Sequence, residues 1–177
     1  MSEPVLIRGH IPWDTVDLRL RAGRSIWLAT SRPDGRAMVA PVWYWWDGDA
    51  RPPRLYFITA RTTAKARNLA HRDWAEAHLG DGDDVAIVRG RTRIVTESGE
   101  LARVDAAYRG RYVDPGSGAR ASIHDNPADD VYRLDPEQMI AWSYGTVGTW
   151  TEWRFPDTGA ESQPYNPPRG CDPDAIS

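Results

Sequence analysis

Cysteine is nearly absent from this sequence of 177 residues, and long apolar runs are missing altogether. The single cysteine, Cys171, cannot form an intrachain disulfide or a cysteine-based zinc cluster. No apolar run approaches the roughly 18 to 20 residues that a membrane-spanning helix needs, and the first residues lack the apolar core of a signal peptide. We therefore expect no membrane partner and a cytoplasmic location.

The sequence also lacks a large excess of positive or negative charge, and it lacks the common catalytic motifs. The 22 basic and 25 acidic residues give a formal net charge of -3, which argues against nucleic acid as a partner. The sequence has no GxSxG, HExxH or HxH motif, no GxGxxG after a strand, and four scattered histidines: His10, His71, His78 and His124. We expect neither a catalytic triad nor a metal site, and no catalytic residue follows from the motifs.

What the chain does contain is typical of a globular protein. Hydrophobic residues make up 41% and charged residues 27%, with a mean hydropathy of -0.59. Nine tryptophans against two phenylalanines mean that indole rings supply most of the flat apolar surface, for packing or for a planar ligand. Lys65 is the only lysine among the 22 basic residues.

Hydrophobic periodicity predicts short strands joined mostly by hairpins. We expect strands over residues 25–31, 37–46, 55–59, 74–79, 85–97, 131–134, 139–144 and 149–155, and helices over 14–22, 62–71 and 98–112. Gly90 is expected to mark a bulge. This order indicates a mainly β (α+β) domain, a small antiparallel barrel over residues 1–155. Residues 156–177 are rich in Pro and Gly and are expected to form a flexible tail that folding does not need.

One segment, residues 58–69, has the composition of an anion site. Hydroxyls of Thr59 and Thr63 lie at a predicted strand end and helix start, beside Arg61 and Lys65. Phosphate matches this pattern. The alternative is a capped surface helix whose Lys65 and Arg67 are solvated, with Arg61 paired to a nearby carboxylate.

The same residues carry a family resemblance. WLATSRPDGRAMVAPVWYWWDG followed by LYFITARTTAKARNL resembles the split-barrel flavin and deazaflavin oxidoreductases, the superfamily that includes pyridoxamine 5'-phosphate oxidase. The resemblance spans residues 24–97, with a weaker match at 149–155, and its most specific part is Thr59, Lys65, Arg67, Asn68 and Leu69. It implies a six- to seven-stranded antiparallel split barrel with short flanking helices.

The resemblance also implies a site. Pro41, Val42 and Trp43 would lie along the cofactor ring, and Thr59, Thr63 and Lys65 would meet its ribityl and phosphate end. The rest of the expected cofactor-binding set is Arg61, Arg67 and Asn68. The family is homodimeric, with the cofactor in a groove between the subunits.

Departures from the family pattern narrow the expected activity. Thr-Glu-Trp-Arg-Phe stands where pyridoxamine 5'-phosphate oxidase has an R-x-H substrate motif, so vitamin B6 oxidation is not expected. The A-K-x-R-N-L form is closer to users of coenzyme F-420, with FMN as the alternative.

We therefore expect hydride transfer from reduced F-420 to a small unsaturated, planar substrate. Non-catalytic binding of a flavin, deazaflavin or haem is the remaining alternative. Because such a cofactor carries the hydride chemistry, missing catalytic motifs do not count against it. Four tryptophans are either walls of the substrate site or packing residues: Trp43, Trp45, Trp46 and Trp150.

Overall fold

Eight strands and three helices make up most of residues 4–144 and 150–155, which are the residues that the computed structural model describes. The strands are β1 (Val5–Arg8), β2 (Ser25–Ser31), β3 (Ala37–Asp47), β4 (Arg54–Ala60), β5 (Trp74–Leu79), β6 (Asp84–Ile94), β7 (Asp129–Ser143) and β8 (Thr151–Arg154). The helices are α1 (Trp13–Ala22), α2 (Ala64–His71) and α3 (Ser98–Arg111). The predicted tail, 156–177, lies outside the described residues.

Six of the strands close into an antiparallel barrel. Their order is β7-β4-β3-β2-β5-β6, and β6 pairs in turn with β7. The predicted barrel of six to seven strands is thereby confirmed, with β8 and β1 added beyond β7. Within the described residues, no helix is long and apolar enough to cross a membrane.

The strand β7 differs most from the prediction, because the two segments predicted at 131–134 and 139–144 are one strand of 15 residues. Its first part pairs with β4, its second part with β8, and nearly all of it with β6. Pro136 lies inside it, opposite Gly90, where the β6–β7 register shifts. A Cβ on Gly90 would lie 2.0 Å from the carbonyl oxygen of Asp135, so the predicted bulge is confirmed and needs glycine.

One strand was not predicted from the sequence, and one strand end was predicted at a different residue. No alternation predicts β1, whose four residues are all exposed. The strand predicted to reach residue 97 ends at Ile94, because the Glu97 carboxylate caps α3 and accepts from the backbone N–H groups of Gly99 and Glu100.

Alternating side chains divide the apolar residues into two clusters. The inward residues of β2, β3 and β4, such as Leu28, Tyr44 and Phe57, fill the barrel together with Val16 and Leu20 of α1. A second cluster lies outside the barrel, where α3 covers the outer faces of β4 and β7; its buried members are Tyr56, Val95, Val104, Tyr108, Tyr112, Ile123 and Val131. This outer layer places α3 beside the candidate site.

Candidate functional site

The barrel is split between β3 and β4. These strands pair only from Tyr44↔Phe57 to Asp47↔Arg54. Before Tyr44, β3 pairs with β2 alone, and after Phe57, β4 pairs with β7 alone. The stretch from Ala37 to Trp43 therefore has an edge that faces none of the strands that the structure describes, and we call it the open edge of β3.

Two tyrosines of the α3 region hold the strands at this split. The Tyr112 hydroxyl accepts from the backbone N–H of Tyr44 at 2.8 Å and lies 2.6 Å from the carbonyl oxygen of Arg24. The Tyr108 hydroxyl donates to the carbonyl oxygen of Trp43 at 3.0 Å. Burial raises the pKa of Tyr108 well above its ordinary value and also raises the pKa of Tyr112, so both hydroxyls keep their protons.

The backbone of the open edge presents an acceptor followed by a donor. Because successive residues of a strand direct their N–H and C=O groups to opposite sides, Trp43 and Pro41 direct theirs away from β2 and towards the open edge. Pro41 has no N–H, and an open edge is where a strand tolerates proline. The open edge therefore offers the Pro41 carbonyl oxygen and the Trp43 N–H group to a ligand.

A cavity of about 360 Å³ lies beside this edge. Its walls are Pro41, Val42, Trp43, Ile58, Lys65, Tyr108, Ala121, Ser122, Asp125 and Asp129. Four of the nine predicted site residues, Pro41, Val42, Trp43 and Lys65, thus meet in one cavity. Lys65 is half-buried, and its side chain has neither a hydrogen bond nor an ion pair with any residue that the structure describes.

Lys65 stands in the first turn of α2, where the local sequence fixes the backbone. Thr63 is the N-cap, and its hydroxyl accepts from the backbone N–H of Ala66 at 3.2 Å. The Thr59 hydroxyl lies 3.0 Å from that of Thr63 and is buried. Both threonines order the start of the helix, and neither lines the cavity beside the open edge.

The other three predicted site residues have partners of their own. Arg61 donates to Asp130 at 2.9 Å. Of the two alternatives for Arg61, an anion site or an ion pair with a nearby carboxylate, the structure shows the ion pair. Arg67 is exposed and donates to the carbonyl oxygen of Thr62 at 2.6 Å. Asn68 is buried and donates to the hydroxyl of Thr30 at 3.0 Å, so it ties α2 to β2.

Of the four tryptophans considered for the substrate site, Trp43 lines the cavity, and the other three lie elsewhere in the fold. Trp43 stacks on Tyr112 with 4.6 Å between ring centroids and 6° between ring planes, and its side chain stays 57% exposed. Trp46 is buried in the barrel, where it cannot wall a ligand site, and Trp45 stacks on Tyr56. Trp150 lies under the guanidinium of Arg8, on the β1–β8 side of the sheet.

A second cavity, of about 450 Å³, continues the first on the side of Arg24. It is lined by Arg24, Trp43, Tyr112, Val113, Asp114, Pro115, Ala119, Arg120, Ala121 and Asp125. Because Trp43, Ala121 and Asp125 line both cavities, the two form one groove under the loop that follows α3. Among the described residues, no group of three or more His, Cys, Asp or Glu side chains is placed to hold a metal ion.

Sequence reasoning missed the α3 side of this groove. The helical spacing that includes Tyr108 predicts a packing face, and the residues from 114 to 130 are expected only to form a loop. No local sequence pattern indicates that two tyrosine hydroxyls form hydrogen bonds with the backbone of a distant strand, because Tyr112 and Tyr44 are 68 positions apart. The run of aromatic residues on β3 was the only available signal.

Comparison with known proteins identifies the family and the fold of the chain. The sequence model described as pyridoxamine 5'-phosphate oxidase matches residues 13–143. No curated protein matches the chain. Among solved structures, a conserved hypothetical protein of Mycobacterium tuberculosis is 21% identical with a TM-score of 0.63, over 81% of this chain and 91% of that one.

Two further similar structures are of proteins that are described as binding a ligand. A pyridoxamine 5'-phosphate oxidase-related, FMN-binding protein of Nostoc punctiforme is 21% identical with a TM-score of 0.53, over 81% of this chain and 90% of that one. A haem-binding protein of Mycobacterium smegmatis is 18% identical with a TM-score of 0.59, over 82% of this chain and 59% of that one. At these identities the likeness is one of fold.

Proposed function

The chain belongs to the pyridoxamine 5'-phosphate oxidase family, and from that premise we propose that it is an oxidoreductase that binds a flavin-type cofactor along the open edge of β3. The cofactor we propose is coenzyme F-420, whose reduced form delivers hydride to a small unsaturated, planar substrate. The observation that carries the proposal is the unpaired Lys65 beside an open strand edge in one cavity.

The backbone of β3 fits the ring of such a cofactor. Flavins and deazaflavins share a pyrimidine edge in which an N–H group stands next to carbonyl oxygens. The Pro41 carbonyl oxygen and the Trp43 N–H offer an acceptor and a donor to that edge. Because the edge is common to both cofactors, this match supports a flavin-type ring without choosing between them.

The charges around Lys65 suit the phosphodiester of F-420 better than the phosphate monoester of FMN. Among the described residues that line this cavity, Lys65 is the one cation and has no ion pair, while Asp125 and Asp129 are carboxylates in its wall and nearby Arg61 is paired with Asp130. The terminal phosphate of FMN carries about -1.5 to -2 charges at pH 7, as phosphate monoesters do. The phosphodiester of F-420 carries a single charge, which one lysine neutralises.

The part played by the chain in catalysis is then binding, orientation and exclusion of water. A bound reduced deazaflavin supplies the hydride. Val42 and Ile58 provide apolar walls, and the Trp43–Tyr112 stack forms one wall of the groove. The proton comes from solvent or substrate. The chain is not proposed to oxidise vitamin B6, because the R-x-H motif is missing and Trp153, in the corresponding strand, is buried in the core.

An FMN-dependent reaction is the second candidate function, supported by the FMN-binding protein of Nostoc punctiforme. Binding without turnover is the third, supported by the haem-binding protein of Mycobacterium smegmatis. The absorption spectrum of the purified protein separates them: tightly held FMN leaves it yellow, haem gives a Soret band, and weakly held F-420 leaves it colourless.

We also propose a homodimer whose partner subunit covers the outer face of β2 and β3. Trp27, Val39 and Trp43 are exposed by 50%, 56% and 57%, and the register sets Trp27 opposite Pro41. A contiguous apolar face of this kind marks an interaction surface. Sedimentation at micromolar concentration should give twice the chain mass of 19.9 kDa.

A charge on this face should separate the subunits. Trp27→Arg is expected to sediment as a monomer, whereas Leu18→Arg, at an isolated exposed leucine of α1, should stay dimeric. If the wild-type chain is a monomer, the groove lacks a second subunit and the dimer proposal is wrong.

The test of the proposed cofactor site is Lys65→Ala. A charge-assisted contact with a phosphate is worth roughly 1.5–3 kcal/mol, so the variant should bind its cofactor about ten- to a hundredfold more weakly. Its melting temperature without ligand should match that of the wild type, because Lys65 has no partner among the described residues. Titration of F-420 and FMN, followed by fluorescence, measures the affinities.

The matched control is Arg72→Ala, an exposed cation at the other end of α2, which should bind the cofactor as the wild type does. Lys65→Arg should bind the cofactor more tightly than Lys65→Ala and more weakly than the wild type, because arginine keeps the positive charge but has a larger, planar head group. Equal affinities of Lys65→Ala and the wild type would show that the cofactor phosphate is not at Lys65.

A further inference from the structure

The cavity on the Arg24 side of the groove has two cations without carboxylate partners. The guanidinium of Arg24 stands 5.6 Å from the centre of the Tyr112 ring, and that of Arg120 donates to the carbonyl oxygen of Arg109 at 3.0 Å. No carboxylate of the described residues forms an ion pair with either arginine. Both therefore keep N–H donors for a ligand.

The carboxylates of the same cavity are already engaged. Asp114 accepts from the backbone N–H groups of Gly116 and Ser117 and from the Ser117 hydroxyl, and these bonds hold its pKa below the ordinary value. Asp125 accepts from the backbone N–H of Ser122 at 2.8 Å. Loop N–H groups therefore hold one oxygen of each carboxylate in place, and the free N–H donors that face the cavity belong to the two arginines.

The rest of the cavity suits a flat apolar body. The Trp43 and Tyr112 rings lie parallel, 4.6 Å apart, and form one wall. The loop contributes Val113, Pro115, Ala119 and Ala121. A volume of about 450 Å³ is within the range of small-molecule sites.

We propose that this cavity binds the substrate, and that the substrate is a planar conjugated carboxylic acid whose carboxylate contacts Arg24 and Arg120. The inference rests on the proposed function, because the ligand is the hydride acceptor of that reaction. A single negative charge suits the cavity better than a dianion, because Asp114 and Asp125 are also present. The conjugated part lies against Trp43, whose backbone N–H faces the proposed cofactor ring.

The experiment compares two probes that differ by one charge, cinnamate and cinnamamide, by calorimetric titration of the full chain without cofactor. Wild-type protein should bind cinnamate more tightly than cinnamamide. The double variant Arg24→Gln, Arg120→Gln should bind cinnamate about ten- to a hundredfold more weakly and leave cinnamamide unchanged, as expected for lost charge-assisted hydrogen bonds.

The control is Arg32→Gln, an exposed arginine of the β2–β3 turn that does not line the groove. It should bind both probes as the wild type does. Wild-type protein that shows no preference for cinnamate, or a double variant that keeps it, overturns the carboxylate site.

Failure of this site is distinguishable from failure of the proposed function. Lys65→Ala should leave cinnamate binding intact, since Lys65 does not line this cavity. If F-420 and FMN fail to bind while the cinnamate preference holds, the cofactor proposal falls and the carboxylate site stands. If a cofactor binds and the preference is absent, the carboxylate site alone falls.

Discussion

Replacing Glu100 by alanine is expected to lower the free energy of unfolding by about 3–5 kcal/mol, the usual cost of removing one partner from a buried ion pair. The Glu100 carboxylate accepts from the Tyr56 hydroxyl at 2.6 Å and from the Arg133 guanidinium at 2.9 Å. Both ionic side chains are about 10% exposed or less. The variant leaves Arg133 paired with Asp135 and removes the Glu100 contacts that join the start of α3 to β4 and β7.

Urea denaturation of the variant and the wild type measures this difference. Asp49→Ala is the control, because Asp49 pairs with Arg21 on the surface and is 87% exposed, so it should cost less than about 1 kcal/mol. Equal losses in the two variants would contradict a special role of the Glu100 contacts.

The same carboxylate makes stability depend on pH. Burial alone would raise the pKa of Glu100, but hydrogen bonds from Tyr56 and Arg133 outweigh it and hold the pKa below the ordinary value of about 4.3. The stabilisation is therefore complete above that value and is lost as the pH falls through the lower, folded-state pKa. Glu100→Gln should flatten this part of the acid-unfolding curve.

Replacing Tyr108 by alanine should cost about 3–5 kcal/mol as well, as large-to-small changes at buried aromatic residues do. Tyr108 is 1% exposed, and its hydroxyl donates to the carbonyl oxygen of Trp43 at the split of the barrel. The lost ring would leave a cavity beside the open edge, and we expect cofactor affinity to fall together with stability.

Tyr108→Phe separates the two contributions. It keeps the ring and should cost only about 0.5–1.5 kcal/mol, the net worth of one hydrogen bond. Thermal and urea unfolding of both variants provide the measurement. If Tyr108→Phe proved as damaging as Tyr108→Ala, the hydroxyl and not the ring would carry the packing of α3.

Local signals were enough for the barrel and for one side of the site. The β2–β3 hairpin follows from β-rich apolar runs on both sides of a turn with Pro33 and Gly35, and Gly35 has a positive φ of 84° there. Helix α2 follows from its threonine cap, which leaves Lys65 in the first turn. These features depend on neighbours within a few residues, so a single sequence contains them.

Features that depend on distant partners could not be predicted in the same way. Two strands were expected where β7 is one, because the register shift opposite Gly90 that lets β7 continue through Pro136 depends on a distant strand. The alternatives for Arg61 stayed open in the sequence, because its partner Asp130 is 69 positions away. The tyrosine hydroxyls at the split depend on how α3 packs, which no local pattern encodes.

The central claim is a deazaflavin bound at the open edge of β3, and its most direct test is a side-by-side titration of the wild-type chain with F-420 and FMN. F-420 should bind more tightly than FMN, because Lys65, the one cation among the described residues of the cavity wall, and two carboxylates line the proposed phosphate position. Binding of FMN alone would leave the fold and the groove in place and contradict the choice of cofactor. Binding of neither would contradict the site itself.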